Sequence, residues 1–195
     1  MVSVNSVQSQ TFKGKYEKTE NGVPYYKTNS GIKVGGVLAG LGALGTAQQF
    51  YKKNYTAAGV GLAMIAAHLG CGAIYDKIRN SKAQKAAEEV KTLGAKNAIA
   101  QNDRIEISRQ GRTYYNSNGM KYGAMLGAGV CLAEGLFDVL NKNQWEKIGK
   151  VFAKDEIKIS KPGFVISSTI VGAICGMIMG KIADHFTNKD AYKNS

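Results

Sequence analysis

The sequence contains little proline and much glycine. Two prolines occur in 195 residues, against 24 glycines. Disordered and collagenous chains are rich in both residues, so this combination excludes those two classes. Glycine makes up about 12% of the chain, compared with about 7% in an average protein, and the fold has to account for this excess.

Cysteine is also scarce, and its pattern does not suggest disulfides. Cys71, Cys131 and Cys175 are odd in number, distant from one another in sequence, and each lies within an apolar stretch. We expect them to be small buried apolar side chains. The first 18 residues contain no apolar core of the kind found in a cleavable secretory signal, so we expect no such signal peptide.

Acidic residues are outnumbered by basic ones. The chain has 26 Lys and Arg residues against 14 Asp and Glu residues, which gives a net charge of +12. This balance suits an anionic membrane surface, an acidic partner or nucleic acid. The lysines are scattered and no nucleic-acid-binding motif occurs, so we expect no nucleic-acid partner.

Sequence patterns of enzymes are missing as well. There is no phosphate loop, nucleophile elbow, Cys-x-x-Cys or zincin pattern. His68 lies three residues before Cys71 and shares a helical face with it, but two ligands do not make a zinc site. We therefore expect a non-enzymatic protein with no catalytic residue, no metal site and no cofactor.

One phrase of the sequence occurs twice. YEKTENGVPYY (16–26) and IEISRQGRTYY (105–115) align at an offset of 89, and the alignment continues at an offset of 88. Each copy is followed by an apolar stretch, a polar connection, a second apolar stretch and then a charged segment, called the exit, where the apolar stretch ends. The matched pairs are Glu17/Glu106, Gly22/Gly111, Tyr25/Tyr114, Tyr26/Tyr115, Gly31/Gly119, Lys33/Lys121 and Gly35/Gly123, and the exits carry Asp76 and Asp184. This order of elements predicts a tandem duplication.

The start of each copy is typical of a β-hairpin. Asn21–Gly22 favours a two-residue type I′ turn, because both central residues of that turn need positive φ. The second copy has a poorer turn sequence at Gly111. The two hairpins could pair with each other, or their tyrosines could rest on a membrane surface. We expect an N-terminal tail (1–14), a first module (15–101) ending in a polar connector helix that begins near Ser81, and a second module (102–195).

Four apolar segments follow the hairpins, two in each module. They cover residues 34–51, 56–75, 122–140 and 162–180. A transmembrane helix needs about 20 mostly apolar residues. The second and fourth segments meet this requirement, whereas Gln48 and Gln49 weaken the first and Glu134 and Asp138 weaken the third.

Glycines recur at every fourth position in these segments, which places them on one helical face. In water each helical glycine costs about 0.8–1 kcal/mol relative to alanine, whereas in lipid small faces allow helices to pack closely. The predicted helix-packing residues are Gly35, Gly40, Gly123, Gly127, Gly172, Gly176 and Gly180. With its GxxxGxxxG pattern the chain resembles the glycine-zipper membrane proteins over the apolar segments, about 75 residues. That resemblance implies close-packed and often oligomeric membrane helices.

Two carboxylates interrupt the third segment. Glu134 and Asp138 are four residues apart and share a helical face. Within a membrane they would form a polar site, serving as an ion or proton path or as a salt bridge to a lysine. Alternatively the helix is short and both carboxylates lie at the membrane interface. Residues 142–161, with Trp145 and Phe152 among six lysines, are typical of an interfacial amphipathic helix.

We therefore expect a mainly α protein of two tandem modules, each a short β-hairpin followed by an antiparallel pair of glycine-rich, transmembrane helices. The expected function is that of a small integral membrane protein with a structural, scaffolding or pore-forming role. Its partners would be the lipid membrane and further copies of itself, as a homo-oligomer. Eighteen of the 26 basic residues fall on the side of the termini, which favours cytoplasmic termini. The alternatives are a soluble or conditionally inserting helical toxin or effector, and an ion or small-solute conduit that uses Glu134 and Asp138.

Overall fold

A computed structural model of the protein describes residues 15–154 and 159–194. The described chain is mainly helical, with two small antiparallel strand pairs. In chain order the elements are β1 (Lys15–Lys18), β2 (Pro24–Lys27), α1 (Ser30–Tyr51), α2 (Tyr55–Leu93), α3 (Ala95–Gln101), β3 (Ile105–Ile107), β4 (Thr113–Tyr115), α4 (Gly119–Leu140), α5 (Lys142–Lys154) and α6 (Lys161–Asn194). The predicted tail, residues 1–14, lies outside the described residues.

The two hairpins form separate two-stranded sheets. Tyr16 faces Tyr26 in the first sheet, and Glu106 faces Tyr114 in the second. A single hairpin is marginally stable in water, so each needs support from the helices. Tyr26 holds the first hairpin against the second hairpin and α6, because its side chain is 6% exposed and packs with Tyr114 and Ala191.

The predicted type I′ turn is wrong. In the first hairpin the amide of Thr19 donates to the carbonyl of Val23 (2.8 Å), and the amide of Gly22 donates to the carbonyl of Thr19 (2.9 Å). Gly22 has φ +75° whereas Asn21 does not have positive φ. This is a three-residue loop that closes with one left-handed glycine, so it needs only one residue with positive φ.

The second hairpin has the same turn. The amide of Ser108 donates to the carbonyl of Arg112 (2.7 Å), the amide of Gly111 donates to the carbonyl of Ser108 (3.0 Å), and Gly111 has φ +78°. The sequence RQG therefore forms this turn as readily as ENG, because the turn requires positive φ only at the glycine.

The long helices form two antiparallel pairs. Helix α1 returns as α2 through a tight turn at residues 52–54, where the Asn54 side chain accepts a hydrogen bond from the amide of Ala57 (3.3 Å). Helix α4 packs along α6, and α5 connects them in sequence. Hereafter the end of the pairs that contacts the hairpins is called the hairpin end, and the other end is called the far end.

The polar connector does not begin a separate helix at Ser81. That residue lies inside α2, which runs without a break for 39 residues to Leu93, and Gly94 with φ +78° then separates α2 from α3. The helix continues because no glycine or proline interrupts residues 73–93. Hydrogen bonds from the polar side chains of Arg79 and Asn80 to Tyr26 and Thr28 also hold it against the first hairpin.

The best-buried side chains lie at the hairpin end. Ile105, only 2% exposed, packs on Ala86 and Ala98 between α2, α3 and β3. The four helices α1, α2, α4 and α6 are long and apolar enough to cross a membrane. Only 11–28% of their most apolar windows is buried inside the protein. Large apolar side chains such as Leu44 (72% exposed) and Ile166 (60%) therefore point outward.

Helix α5 sits at the far end and is amphipathic. The rings of Trp145 and Phe152 both make edge contacts with Phe164 at the start of α6, at centroid distances of 5.8 and 6.4 Å. Lys161 lies over the Trp145 ring at 5.8 Å. These contacts attach α5 to the second helix pair.

Candidate helix-packing site and interhelical cleft

Glycines form the contact between α4 and α6. A side chain at Gly123 would collide with the carbonyl oxygen of Gly176, and one at Gly176 would collide with the carbonyl oxygen of Gly123. The same reciprocal exclusion holds for Gly119 with Gly180 and for Gly127 with Gly172. The two backbones therefore touch over three successive turns, which only glycine permits at these positions.

The contact between α1 and α2 uses fewer glycines. Gly31 and Gly72 exclude each other's side chains, and a side chain at Gly35 would lie 2.5 Å from the carbonyl oxygen of His68. Further along, Gly61 faces the side chain of Thr46.

Six of the seven predicted packing glycines lie at these contacts. They are Gly35, Gly123, Gly127, Gly172, Gly176 and Gly180. Gly40 is different, since a Cβ built there would meet no atom within 4 Å among the residues that the structure describes. Its predicted packing role would have to involve a surface outside this chain.

A carboxylate on α2 caps the start of α1. The two oxygens of Asp76 accept hydrogen bonds from the amides of Gly31 and Ile32, both at 2.8 Å. These amides lack partners within their own helix, and the positive end of the helix dipole favours a negative group there. One turn further along α2, Asn80 binds both the amide (3.0 Å) and the carbonyl (2.8 Å) of Thr28.

A carboxylate on α6 caps α4 in the same way. Asp184 accepts hydrogen bonds from the amide of Gly119, from the hydroxyl of Ser117 (2.7 Å) and from the hydroxyl of Tyr75. One turn further, Asn188 binds the amide (3.0 Å) and the carbonyl (2.9 Å) of Ser117. The roles of Asp184 and Asn188 thus match those of Asp76 and Asn80.

The sequence contains the signal for these caps, although our prediction did not use it. GAIYDKIRN (72–80) and GKIADHFTN (180–188) share the pattern Gly-x-x-x-Asp-x-x-x-Asn. The spacing of four places the three residues on one helical face. In both pairs the glycine contacts the partner helix, the aspartate caps that helix, and the asparagine binds the residue two positions before its start.

Side chains at the hairpin end also join the two pairs. Arg79 is 3% exposed and donates to the carbonyl oxygens of Tyr26 (2.5 Å) and Tyr115 (3.4 Å). Its Nε has no hydrogen-bond partner among the described residues. The Tyr75 hydroxyl crosses from α2 to Asp184 on α6, and the Tyr26 hydroxyl donates to Asp190.

The hairpins contribute charges of their own. Lys27 and Lys15 each lie 2.9 Å from a carboxylate oxygen of Glu17, and these contacts hold the pKa of Glu17 below its usual value. In the second hairpin the Tyr114 hydroxyl donates to Glu106 (2.6 Å). Burial and this hydrogen bond raise the pKa of Tyr114, because both disfavour the charged phenolate.

Glu134 and Asp138 lie near the far end of α4. Both side chains are half-buried, and neither forms an ion pair with a lysine or arginine in the described part of the chain. Glu134 is close enough to His68 on α2 for their charges to interact, and it also interacts with Asp138. The Nδ1 of His68 donates to the carbonyl of Met64 (2.7 Å), which leaves its Nε2 available.

A cleft of about 360 Å³ separates the two helix pairs. Helices α1, α2, α4 and α6 all contribute to its walls, and the glycine contacts lie along its sides. Cys71, Cys131 and Cys175 all line it, and all three are free thiols. The sequence placed them in three separate apolar stretches and gave no sign that they meet.

No family model, curated protein or solved structure matches the chain.

We predict that Gly176→Leu destabilises the α4–α6 pair. The new side chain would push against the backbone of Gly123, and overpacking of this kind costs about 3 kcal/mol. The midpoint of thermal unfolding in mild detergent, followed by circular dichroism, should fall clearly. Gly129→Leu is the matched control on the same pair, because no atom of the described residues lies within 4 Å of a Cβ built at Gly129. Equal midpoints for the two variants would contradict the contact.

We also predict that the caps differ in strength. Asp184 satisfies three donors and Asp76 satisfies two, and each buried donor left unpaired costs about 1–3 kcal/mol. Asp184→Ala should therefore lower the unfolding midpoint more than Asp76→Ala. Asp103→Ala removes a carboxylate that is 88% exposed and should change stability by less than about 0.5 kcal/mol. A reversed order of the two caps would show that these hydrogen bonds do not determine the pairing.

Proposed function

We propose that this protein is a non-enzymatic, multi-pass membrane protein whose four glycine-faced helices pack inside a bilayer. The observation that carries the proposal is the uncovered apolar surface of α1, α2, α4 and α6. At most 28% of any of their apolar windows is buried. A water-soluble protein exposes few apolar patches of this extent, whereas lipid would cover them without cost.

The glycine contacts support the same environment. Lipid gives no hydrophobic force between helices, so close backbone approach and van der Waals contact must hold them together. The Gly123–Gly176 contact and its neighbours provide such an approach. Polar groups, including Arg79, Asp76 and Asp184, collect at the hairpin end, outside the most apolar parts of the helices.

We further propose that the chain consists of two tandem modules, residues 15–101 and 102–195. Three independent features support this division. Both hairpins close with the same left-handed glycine turn, and both helix pairs are capped by an aspartate of the returning helix. In both pairs an asparagine one turn further binds the residue two positions before the capped helix.

The proposed role is structural, scaffolding or pore-forming, and the proposed partners are lipid and further copies of the chain. Gly36 and Gly40 lie on α1 with open space where a side chain would be. Their spacing of four would give a second copy a small-residue face to pack against. The hairpin end carries most of the basic residues, which favours a cytoplasmic position for it and for the termini.

We predict that the untagged protein stays in the membrane pellet after alkaline carbonate extraction and is released only by detergent, because four buried spans resist removal of peripheral contacts. Immunoblotting of pellet and supernatant measures this. The control is a peripheral membrane protein of the same host, which the carbonate treatment must release into the supernatant. A monodisperse protein in the detergent-free supernatant would instead identify a soluble or conditionally inserting bundle.

A second candidate function is a conduit for ions or small solutes. Glu134 favours it, because this half-buried carboxylate lies on an apolar helix and forms no ion pair with a lysine or arginine in the described part of the chain. Ionisable groups within membrane helices commonly mark an ion or proton path.

We predict for this candidate that purified protein conducts cations or protons in liposomes. Glu134→Gln with Asp138→Asn should lower the flux about tenfold or more, because the path loses both of its negative charges. The matched control is Glu146→Gln with Asp103→Asn, which removes two carboxylates from outside the four long apolar segments. Absence of flux for the unaltered protein, or equal flux for both double variants, would eliminate the conduit.

A further inference from the structure

We propose that the cleft between the two helix pairs binds one acyl chain of a membrane phospholipid. The proposal rests on the membrane location argued above and adds a binding site to it. The site is formed by the facing sides of α1 and α2 in one pair and of α4 and α6 in the other.

The shape of the cleft fits a single hydrocarbon chain. Its wall extends along α2 from Met64 to Tyr75 and along α6 from Gly172 to Ala183, which is about 16 Å at 1.5 Å per residue. A volume of about 360 Å³ over this length corresponds to a mean cross-section of about 22 Å², or a width of about 5 Å. That width accommodates an extended chain of methylene groups.

The chemistry of the walls fits the same ligand. Apolar side chains such as Leu38, Leu126, Val130 and Met179 line the cleft between the glycines. An apolar space of this size holds water poorly, and leaving it unfilled weakens the packing of every side chain around it. An acyl chain would fill it without requiring any hydrogen bond.

The cleft also has the orientation that a lipid chain requires. It runs parallel to helices that are long enough to span the bilayer. One end lies at the hairpin end, beside Tyr75, and the other lies near Cys131, part of the way along α4. A chain that follows the helices would therefore lie lengthwise within the hydrocarbon region, with Tyr75 closing the cleft at the hairpin end.

The glycines explain why such a space exists. They bring the two helices of each pair into backbone contact, but Gly123 and Gly176 sit on the wall of the cleft and extend no side chain into it. The two pairs meet at the hairpin end, where Tyr75 contacts Gly119. The space beside the glycines is left for another molecule.

The first test is retention of lipid by native mass spectrometry. Protein is extracted from membranes in mild detergent, washed until lipid is lost, and titrated with dioleoyl phosphatidylcholine or with oleic acid. We expect one phospholipid per chain. Ala67→Phe fills the cleft from a lining position, whereas Ala66→Phe makes the same change at the adjacent exposed position. We expect about tenfold less retained phospholipid for Ala67→Phe and no change for Ala66→Phe.

A second measurement does not depend on a variant that folds. The chain has only three cysteines, and all of them line the cleft. Cys71 and Cys131 are half-buried and Cys175 is exposed. Phospholipid should therefore slow the modification of Cys71 and Cys131 by N-ethylmaleimide about tenfold relative to lipid-free protein. Unchanged labelling, a chain that retains no phospholipid, retention of oleic acid alone, or equal retention by the two phenylalanine variants would each overturn the proposal.

The results separate this inference from the proposed function. A protein that stays in the carbonate-washed pellet but retains no phospholipid would lack the binding site and still be a membrane protein. A protein found in the supernatant would overturn the proposed function and, with it, the phospholipid site that rests on it.

Discussion

The structure depends on two carboxylates that cap helices. One lies on α2 and caps the start of α1, and the other lies on α6 and caps the start of α4. The first amides of α1 and α4 have no partner in their own helices. The residues that precede these two helices, Asn29 and Asn118, form no side-chain capping hydrogen bond within the described part of the chain. Asp76 and Asp184 reach these amides from the partner helix instead. Packing and capping therefore come from one face, and a shift in register would lose both.

The hairpin end then joins the two pairs through groups that differ between them. Arg79 and Tyr75 lie on α2, whereas Thr187 and Ala183 occupy the corresponding positions in the pattern on α6. Arg79 binds the carbonyls of both Tyr26 and Tyr115, so one guanidinium serves two hairpins. A second arginine at position 187 would bring another positive charge into the same buried space, where it would be desolvated and repelled.

Much of this arrangement could be predicted from the sequence, because periodicity and composition determine it. The mainly helical class, the two hairpins and the four long apolar helices are confirmed, and the glycine spacing located the α4–α6 contact. The turn type was wrong because Asn-Gly suggested a two-residue loop, whereas Gly22 alone needed positive φ. The prediction that a new helix begins near Ser81 was wrong. The sequence changes from apolar to polar there, but its helix propensity does not fall, so α2 continues.

The site residues that the sequence did not reveal are those whose roles depend on a neighbouring element. Asp76 and Asp184 looked like ordinary exit charges until the antiparallel pairing brought them to the starts of α1 and α4. The three cysteines are far apart in sequence and line one cleft only because helices of both pairs form its walls. The glycines that close each pair also leave no side chains to close the gap between the pairs. The cleft is thus a direct consequence of the interaction that stabilises the fold, and its apolar walls determine what can occupy it.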